Sequence, residues 1–151
     1  MLYFMQNLKY IEEMLMTVIV CLSDSGGMLF NKRRQSRDIK VADDITELVG
    51  NGVLFISDFS LNLFSESPLS VIAVSNPLSA ASRGDFVFLE DRGANDYREK
   101  IKRLVIYKWN RKYPTDFKFD IEPENVGMRL SEVAEFPGKS HEKITREIWV
   151  W

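Results

Sequence analysis

The sequence predicts one α/β domain in three layers: a central, mostly parallel sheet, flanking helices, and antiparallel strands added at one edge by the C-terminal part. Three observations predict it. Short β-branched apolar runs alternate with helical or turn segments through the earlier part of the chain, the pattern of parallel strands joined by crossovers. The later part carries apolar runs with no helix between them, which suits antiparallel additions. The 151 residues, 45% hydrophobic and 28% charged, are enough for one ordinary core. The domain is expected over residues 16–151, with residues 1–15 an N-terminal extension or short amphipathic helix.

Each element has a local reason. Thr17 to Leu22 is a buried β-branched strand, ended by the turn residues Ser23-Asp24-Ser25-Gly26-Gly27. Ser36 is the expected N-cap of a helix running to about Val49, with Ile39, Ile45, Leu48 and Val49 on its apolar side and Gly50-Asn51-Gly52 as its stop. Val53 to Ile56 is a second strand, Leu61 to Phe64 a short helix before Pro68, and Val71 to Val74 a third strand. Asn76-Pro77 opens a loop. Phe86 to Leu89 and Leu104 to Trp109 are further strands, separated by a polar helical segment from Asn95 to Lys102. Phe117 and Phe119 flank Lys118 in a period-two fragment; Met128 to Phe136 and Glu147 to Trp151 are late strands.

Composition excludes several functions. A net charge of −2 leaves no global attraction to nucleic acid or anionic lipid. No apolar run approaches the roughly 20 residues that cross a bilayer, so no membrane partner is expected. Residues 1–16 carry Lys9, Glu12 and Glu13 and do not read as a signal peptide; Leu2, Met5, Leu8, Ile11 and Leu15 fit an amphipathic helix, and Met14 or Met16 is an alternative start. Cys21 is the sole cysteine, so no intrachain disulfide forms and a cytoplasmic location is expected. It lies within an apolar strand with no base beside it in sequence, which reads as a core thiol.

The order of elements resembles the dihydrofolate reductase superfamily over nearly the whole chain from Met16. Arg103-Leu104-Val105-Ile106-Tyr107-Lys108-Trp109, then Asp116, Phe117 and Phe119, then "MRLSEVAEF" and "REIWVW" look like that family's last βαβ strand, acidic-aromatic segment and terminal strand pair. "VLFISDFSLNLF" is similar to its second strand and cofactor-facing helix, and "TVIVCLSDSGGMLFN" to its first strand and active-site loop. The resemblance implies a hydride-transferring reductase with NADP as cofactor. The departures fall at the working parts. The family's Gly-Arg-x-Thr/Ser phosphate turn is Ser57-Asp58-Phe59-Ser60 here, and its glycine pair is replaced within Glu90-Asp91-Arg92-Gly93. Its Pro-Trp is absent, with Phe30-Asn31 the nearest counterpart, and Tyr107 stands for its pterin-side threonine, large enough to fill a pterin pocket. The family's acid near the start of the first helix matches Asp38, which the resemblance makes a pterin-orienting group.

A narrower resemblance links "MLFNKRRQSRD", "KWNRKYP" and "GKSHEKIT" to short bacterial proteins that often carry an automatic label of ribonuclease Z, a dinuclear zinc hydrolase. Such enzymes use a His-x-His-x-Asp-His cluster plus further histidines, whereas this chain has one histidine, His141. That zinc chemistry is rejected and no metal site is expected.

Four of the six residues from Lys32 to Arg37 are cationic. Either they converge at a helix start as an anion seat, with Gln35 and Ser36 as neutral donors, or they form a solvated corner with Asp38 paired locally. Trp109-Asn110-Arg111-Lys112-Tyr113 interleaves rings and cations, as a single-stranded nucleic-acid site does, but a strand exit before Pro114 explains it equally. His141, in the polar loop Gly138 to Lys143, is a proton donor, an anion contact, or a solvated side chain. "GKS" lacks the glycine spacing and following helix of a phosphate loop, and Gly26-Gly27 lacks a dinucleotide fingerprint. Asp43-Asp44 and Glu12-Glu13 diverge on their helices and make no dyad.

The expected protein is therefore a diverged dihydrofolate reductase-like domain without an intact NADPH site. It is expected to hold no cofactor and to bind a small anionic ligand or a protein partner. Asn31, Arg33, Arg34, Gln35, Ser36, Ser57 and His141 are the candidate ligand contacts, and Asp38 is the candidate catalytic group. The alternatives are a surviving NADPH-dependent reductase, the one case in which NADP binds, and an RNA-associated protein acting through Arg33, Arg34, Arg111 and Lys112.

Overall fold

A computed structural model describes residues 15–151, so the extension expected at the N-terminus lies, but for Leu15, outside the described residues. In chain order the elements are β1 (Met16–Leu22), β2 (Gly27–Phe30), β3 (Arg33–Arg34), α1 (Ile39–Val49), β4 (Val53–Ile56), a 3-10 helix (Asp58–Leu63), β5 (Ser70–Ala73), α2 (Pro77–Ala80), β6 (Phe86–Leu89), a 3-10 helix (Asn95–Lys100), β7 (Ile101–Lys108), β8 (Phe117–Lys118), a 3-10 helix (Pro123–Val126), β9 (Arg129–Phe136) and β10 (Ile144–Val150).

The main sheet has seven strands in the order β5-β4-β6-β1-β7-β10-β9. β1 runs parallel to β6 and β7, and β4 parallel to β5 and β6; β10 is antiparallel to β7 and β9. This is the mixed sheet with antiparallel C-terminal edge strands that the pattern predicts. Alternation along β1 serves two cores. Val18 and Val20 face Leu78, Ile101, Leu104 and Trp149, while Ile19 faces Val41, Ile45, Leu54, Phe88 and Val105. β1 carries no charge because both faces are covered.

α1 buries Val41, Ile45 and Val49, spaced one turn apart, against the second of these cores. Full burial of each such side chain stabilises by about 1.5–3 kcal/mol. Gly50, at φ 55°, ends the helix by donating its amide to the Thr46 carbonyl.

Several boundaries differ from expectation. Asp38, rather than Ser36, caps α1: its backbone is extended and its carboxylate accepts from the Lys40 amide. The reason lies upstream. "MLFNKRR" does not open a helix but folds as a β-hairpin, with Leu29 opposite Arg34 and Phe30 opposite Arg33. Asn31 and Lys32, at φ 50° and 61°, form the left-handed turn pair that suits a two-residue hairpin. The chain is thus still extended at Ser36. β8 completes a small three-stranded sheet with β3 and β2. Pro77 begins the single helical turn α2 instead of a loop, its fixed φ and missing amide suiting a first helical position. β7 and β10 begin three residues earlier than the apolar runs Leu104 to Trp109 and Glu147 to Trp151 suggest, because ladder partners extend them: Met16 faces Ile101, and Ile144 faces Phe136. No helix among the described residues is long and apolar enough to cross a membrane.

Candidate functional site

A cleft of about 850 Å³ opens at the carboxyl ends of β1 and β6. Crevices outside strand carboxyl ends are where open α/β sheets bind ligands. Val41 and Ile45 of α1 and Leu63 and Phe64 form apolar walls; Phe88, Glu90, Cys21 and Trp109 come from the sheet side. Ser36, Arg37, Lys139 and Ser140 close one end, and Asp43 and Glu66 also border it. Burial, then the Glu90 carboxylate, pushes the Cys21 thiol well above its ordinary range, so it is a poor nucleophile.

At the closed end lies a buried polar cluster. The Asp38 side chain is fully buried. Its Oδ1 accepts from the amides of Lys40 at 2.9 Å and Lys139 at 3.0 Å. Its Oδ2 accepts from the Ser140 amide at 2.9 Å, Ser140 Oγ at 3.1 Å and His141 Nδ1 at 2.8 Å. Burial alone raises this carboxyl, but the donors from Lys139, His141, Ser140 and Lys40 outweigh it and hold the group well below the usual carboxylate range. A carboxylate only accepts, so Nδ1 of His141 carries a proton toward Asp38 and Nε2 faces the opposite way. Nε2 lies 3.0 Å from Ser36 Oγ and 2.9 Å from the Tyr113 hydroxyl. The imidazole is stacked on Trp109, with centroids 4.7 Å apart. Gly138 permits this packing, since a Cβ there would come within 2.6 Å of Asp38 Oδ2.

A second network reaches the cleft at Glu90 and Asn62. Arg34 donates Nε and Nη2 to the Glu90 carboxylate at 2.8 and 3.0 Å, and Nη2 also to the Phe59 carbonyl and Asn62 Oδ1. Ser60 Oγ donates to Glu90 at 2.7 Å. One residue on, Asp91 accepts from Ser57 Oγ at 3.2 Å and from Arg92, whose Nη1 reaches the Ser75 carbonyl at 2.6 Å. The loops after β4, β5 and β6 are therefore tied by side chains of this chain.

The expected site residues separate into three places. Ser36, Asp38 and His141 meet. Arg34 and Ser57 belong to the second network. Asn31 and Arg33 are exposed on the hairpin, outside the cleft lining, and Gln35 is anchored by Nε2 to the Pro114 carbonyl at 2.9 Å. The cations from Lys32 to Arg37 therefore do not converge on one seat, because a hairpin sends successive side chains to opposite faces. His141 is buried, not a solvated loop side chain. Tyr107 is fully buried and donates to Asp44 on α1 at 2.6 Å; it turns under the helix and leaves the cleft unfilled. Trp109 lies against His141 and Arg111 over the Tyr113 ring, which accounts for the ring-and-cation pattern within the fold. Sequence reasoning missed Tyr113 as a partner of His141. The only signal was its place at a strand exit, before Pro114. Among the described residues no three His, Cys, Asp or Glu side chains gather as a metal seat.

A seven-stranded mixed sheet in this order, with a cleft beside the first long helix, defines the fold class of the dihydrofolate reductases. The solved structure of dihydrofolate reductase from Enterococcus faecalis, complexed with NADP(H) and RAB-propyl, aligns with 91% of this chain and 96% of its own, at a TM-score of 0.63 and 9% identity. At that identity the likeness is one of fold. No family model matches the chain, and no curated protein matches it; the ribonuclease Z likeness therefore finds no support in them.

Proposed function

We propose that this protein is a ligand-binding, non-reductase domain on a dihydrofolate reductase-like fold. Its cleft takes a small molecule with an apolar body and an anionic end. The observation that carries this reading is the pair of carboxylates Glu90, on the cleft lining, and Asp91, next to it in sequence, bound by Ser60, Arg34, Ser57 and Arg92. A dinucleotide needs amides and cations turned toward its phosphates. Here those donors serve the chain's own acids, and like charge opposes an incoming diphosphate. Asp38 has both oxygens taken by neighbours, which disfavours it as a pterin-orienting acid and so disfavours the surviving reductase. Arg37 and Lys139 border the cleft and make no ion pair among the described residues, so an anion can bind between them.

Two titrations test this. Calorimetry with NADPH is expected to give no saturable heat, and NADPH with dihydrofolate no loss of nicotinamide absorbance. Small aromatic carboxylates are expected to raise the melting temperature, and Arg37→Ala with Lys139→Ala to abolish that rise. Tight NADPH binding with dihydrofolate-dependent oxidation overturns the reading, as does a carboxylate response unchanged in the double variant.

A further inference from the structure

Ser36 and Asp38, two residues apart, meet the distant His141 as hydroxyl, imidazole and carboxylate in a line. Oγ of Ser36 lies 3.0 Å from Nε2, and Nδ1 lies 2.8 Å from Oδ2 of Asp38. These are the distances at which a base removes a hydroxyl proton while a third group orients it. The carboxylate is oriented by three backbone amides, and the imidazole is clamped by the Trp109 ring, so neither is free to turn away. Ser36 is half-buried and borders the cleft. The Tyr113 hydroxyl lies 3.2 Å from Ser36 Oγ and receives a hydrogen bond from Arg111 Nη1 at 3.2 Å. A phenol polarised by a guanidinium beside the nucleophile is placed to donate to an oxygen that becomes negative when Oγ adds to a carbonyl.

We propose that Ser36 is a nucleophile activated by His141 and Asp38, and that the cleft hydrolyses a small carboxylic ester with an apolar acyl group, the released carboxylate being the apolar, anionic-ended molecule the cleft takes. The inference deepens the reading of the cleft as a ligand site and rests on a ligand reaching Ser36. Oγ attacks the carbonyl carbon; the new Oγ–C bond forms as the Oγ proton moves to Nε2 and the carbonyl π pair moves onto oxygen. That oxyanion accepts from Tyr113. The imidazolium is stabilised by Asp38, which stays ionised. Collapse of the adduct expels the alkoxide, which takes the Nε2 proton and leaves as an alcohol. Water then adds to the acyl-serine by the same proton route and releases the carboxylic acid and free Ser36. The apolar walls from Val41, Ile45, Phe64 and Phe88 favour a hydrocarbon or aromatic acyl group.

The test treats the native chain with a fluorophosphonate and, separately, with p-nitrophenyl acetate. One fluorophosphonate adduct per chain is expected, mapped to Ser36 by peptide mass spectrometry. Acylation is expected to fall at least about 100-fold in Ser36→Ala, which removes the nucleophile, and about 100-fold in Tyr113→Phe, which leaves it in place. Adducts scattered over lysines and tyrosines, an unlabelled Ser36, or a Ser36→Ala rate equal to the native rate overturns the proposal. Labelling is read on the native chain, so a variant that misfolds does not decide the matter. Carboxylate-induced stabilisation with an unlabelled Ser36 removes the nucleophile and spares the binding reading; a labelled Ser36 without that stabilisation does the reverse.

Discussion

Asp38 closes the first turn of α1 through the Lys40 amide and also receives Lys139, Ser140 and His141 from a loop 101 or more residues along the chain. One carboxylate thereby joins the start of the first helix to the approach of the last strand. Removing its charge leaves buried donors without an acceptor. Asp38→Asn is expected to cost about 3 kcal/mol in urea unfolding at neutral pH. Because the folded-state proton affinity of Asp38 lies below that of the unfolded chain, its stabilisation is fully present above the unfolded carboxylate range, near about pH 4. It is lost as pH falls through and below that range. The native chain is therefore expected to lose more stability between about pH 5 and pH 3 than Asp38→Asn, compared by urea midpoints at each pH. An identical acid response in both chains would show that the carboxylate is not the group responsible. The partners of Asp38 were not readable locally. "GKSHEKIT" reads as a polar loop, and nothing within it says that its histidine turns inward.

The β2–β3 hairpin shows how two residues redirect a segment. A run with four cations around a capping serine reads as a helix start, either an anion seat or a solvated corner. Asn31 and Lys32 instead adopt left-handed φ values, which Asn tolerates and Lys does not favour. The turn carries Arg34 back to Glu90, where paired donors to one buried carboxylate hold it. Lys32→Gly relieves the strain at φ 61° and gives the Asn-Gly pair that such turns prefer. A stabilisation of about 0.5 kcal/mol is expected after the added flexibility of the unfolded chain is subtracted. Thermal unfolding checks this, and a lower melting temperature would mean that the lysine side chain itself holds the turn. The Asn-Lys pair was visible in the sequence, but its turn geometry depends on β8 joining the sheet and on Asp116, which accepts from the Asn31 amide at 2.9 Å.

β10 lies inside the sheet, between β7 and β9, although it ends the chain. Ile144 and Ile148 pack in the α1-side core and Trp149 in the opposite one, so this strand seals both layers. Removing residues 144–151 would expose the β7 ladder and both cores, leaving β9 without a neighbour in the main sheet. Such a chain is expected to lose cooperative unfolding by circular dichroism and to bind a dye for exposed apolar surface. A truncated chain that still melts in one sharp transition would show that β9 and β10 are an appendage. Pairing between β1 and the later β6 and β7 also makes most of the sheet non-local, which favours folding in milliseconds to seconds over microseconds.

Much of this architecture was legible in the chain alone. The β-branched run at β1, Ile45 and Val49 on the buried side of α1, and the strand-rich end needed only short-range periodicity, because burial on one or two faces writes itself into residue type every second or every fourth position; the helix face was nonetheless set off its true centre, since Ile39 is exposed and Val41 takes the buried place. The same reading marked Glu90 and Asp91 as bulky acids where a glycine pair belongs in the resembled family. It did not say which side chains would hold them, nor that Ser36, Asp38, His141 and Tyr113 would meet. Those pairings depend on the packing of separate loops against the sheet, where a hydrogen bond needs an approach near 3 Å. Residue identity sets which groups can donate or accept; only the folded backbone brings a donor and its acceptor into one place.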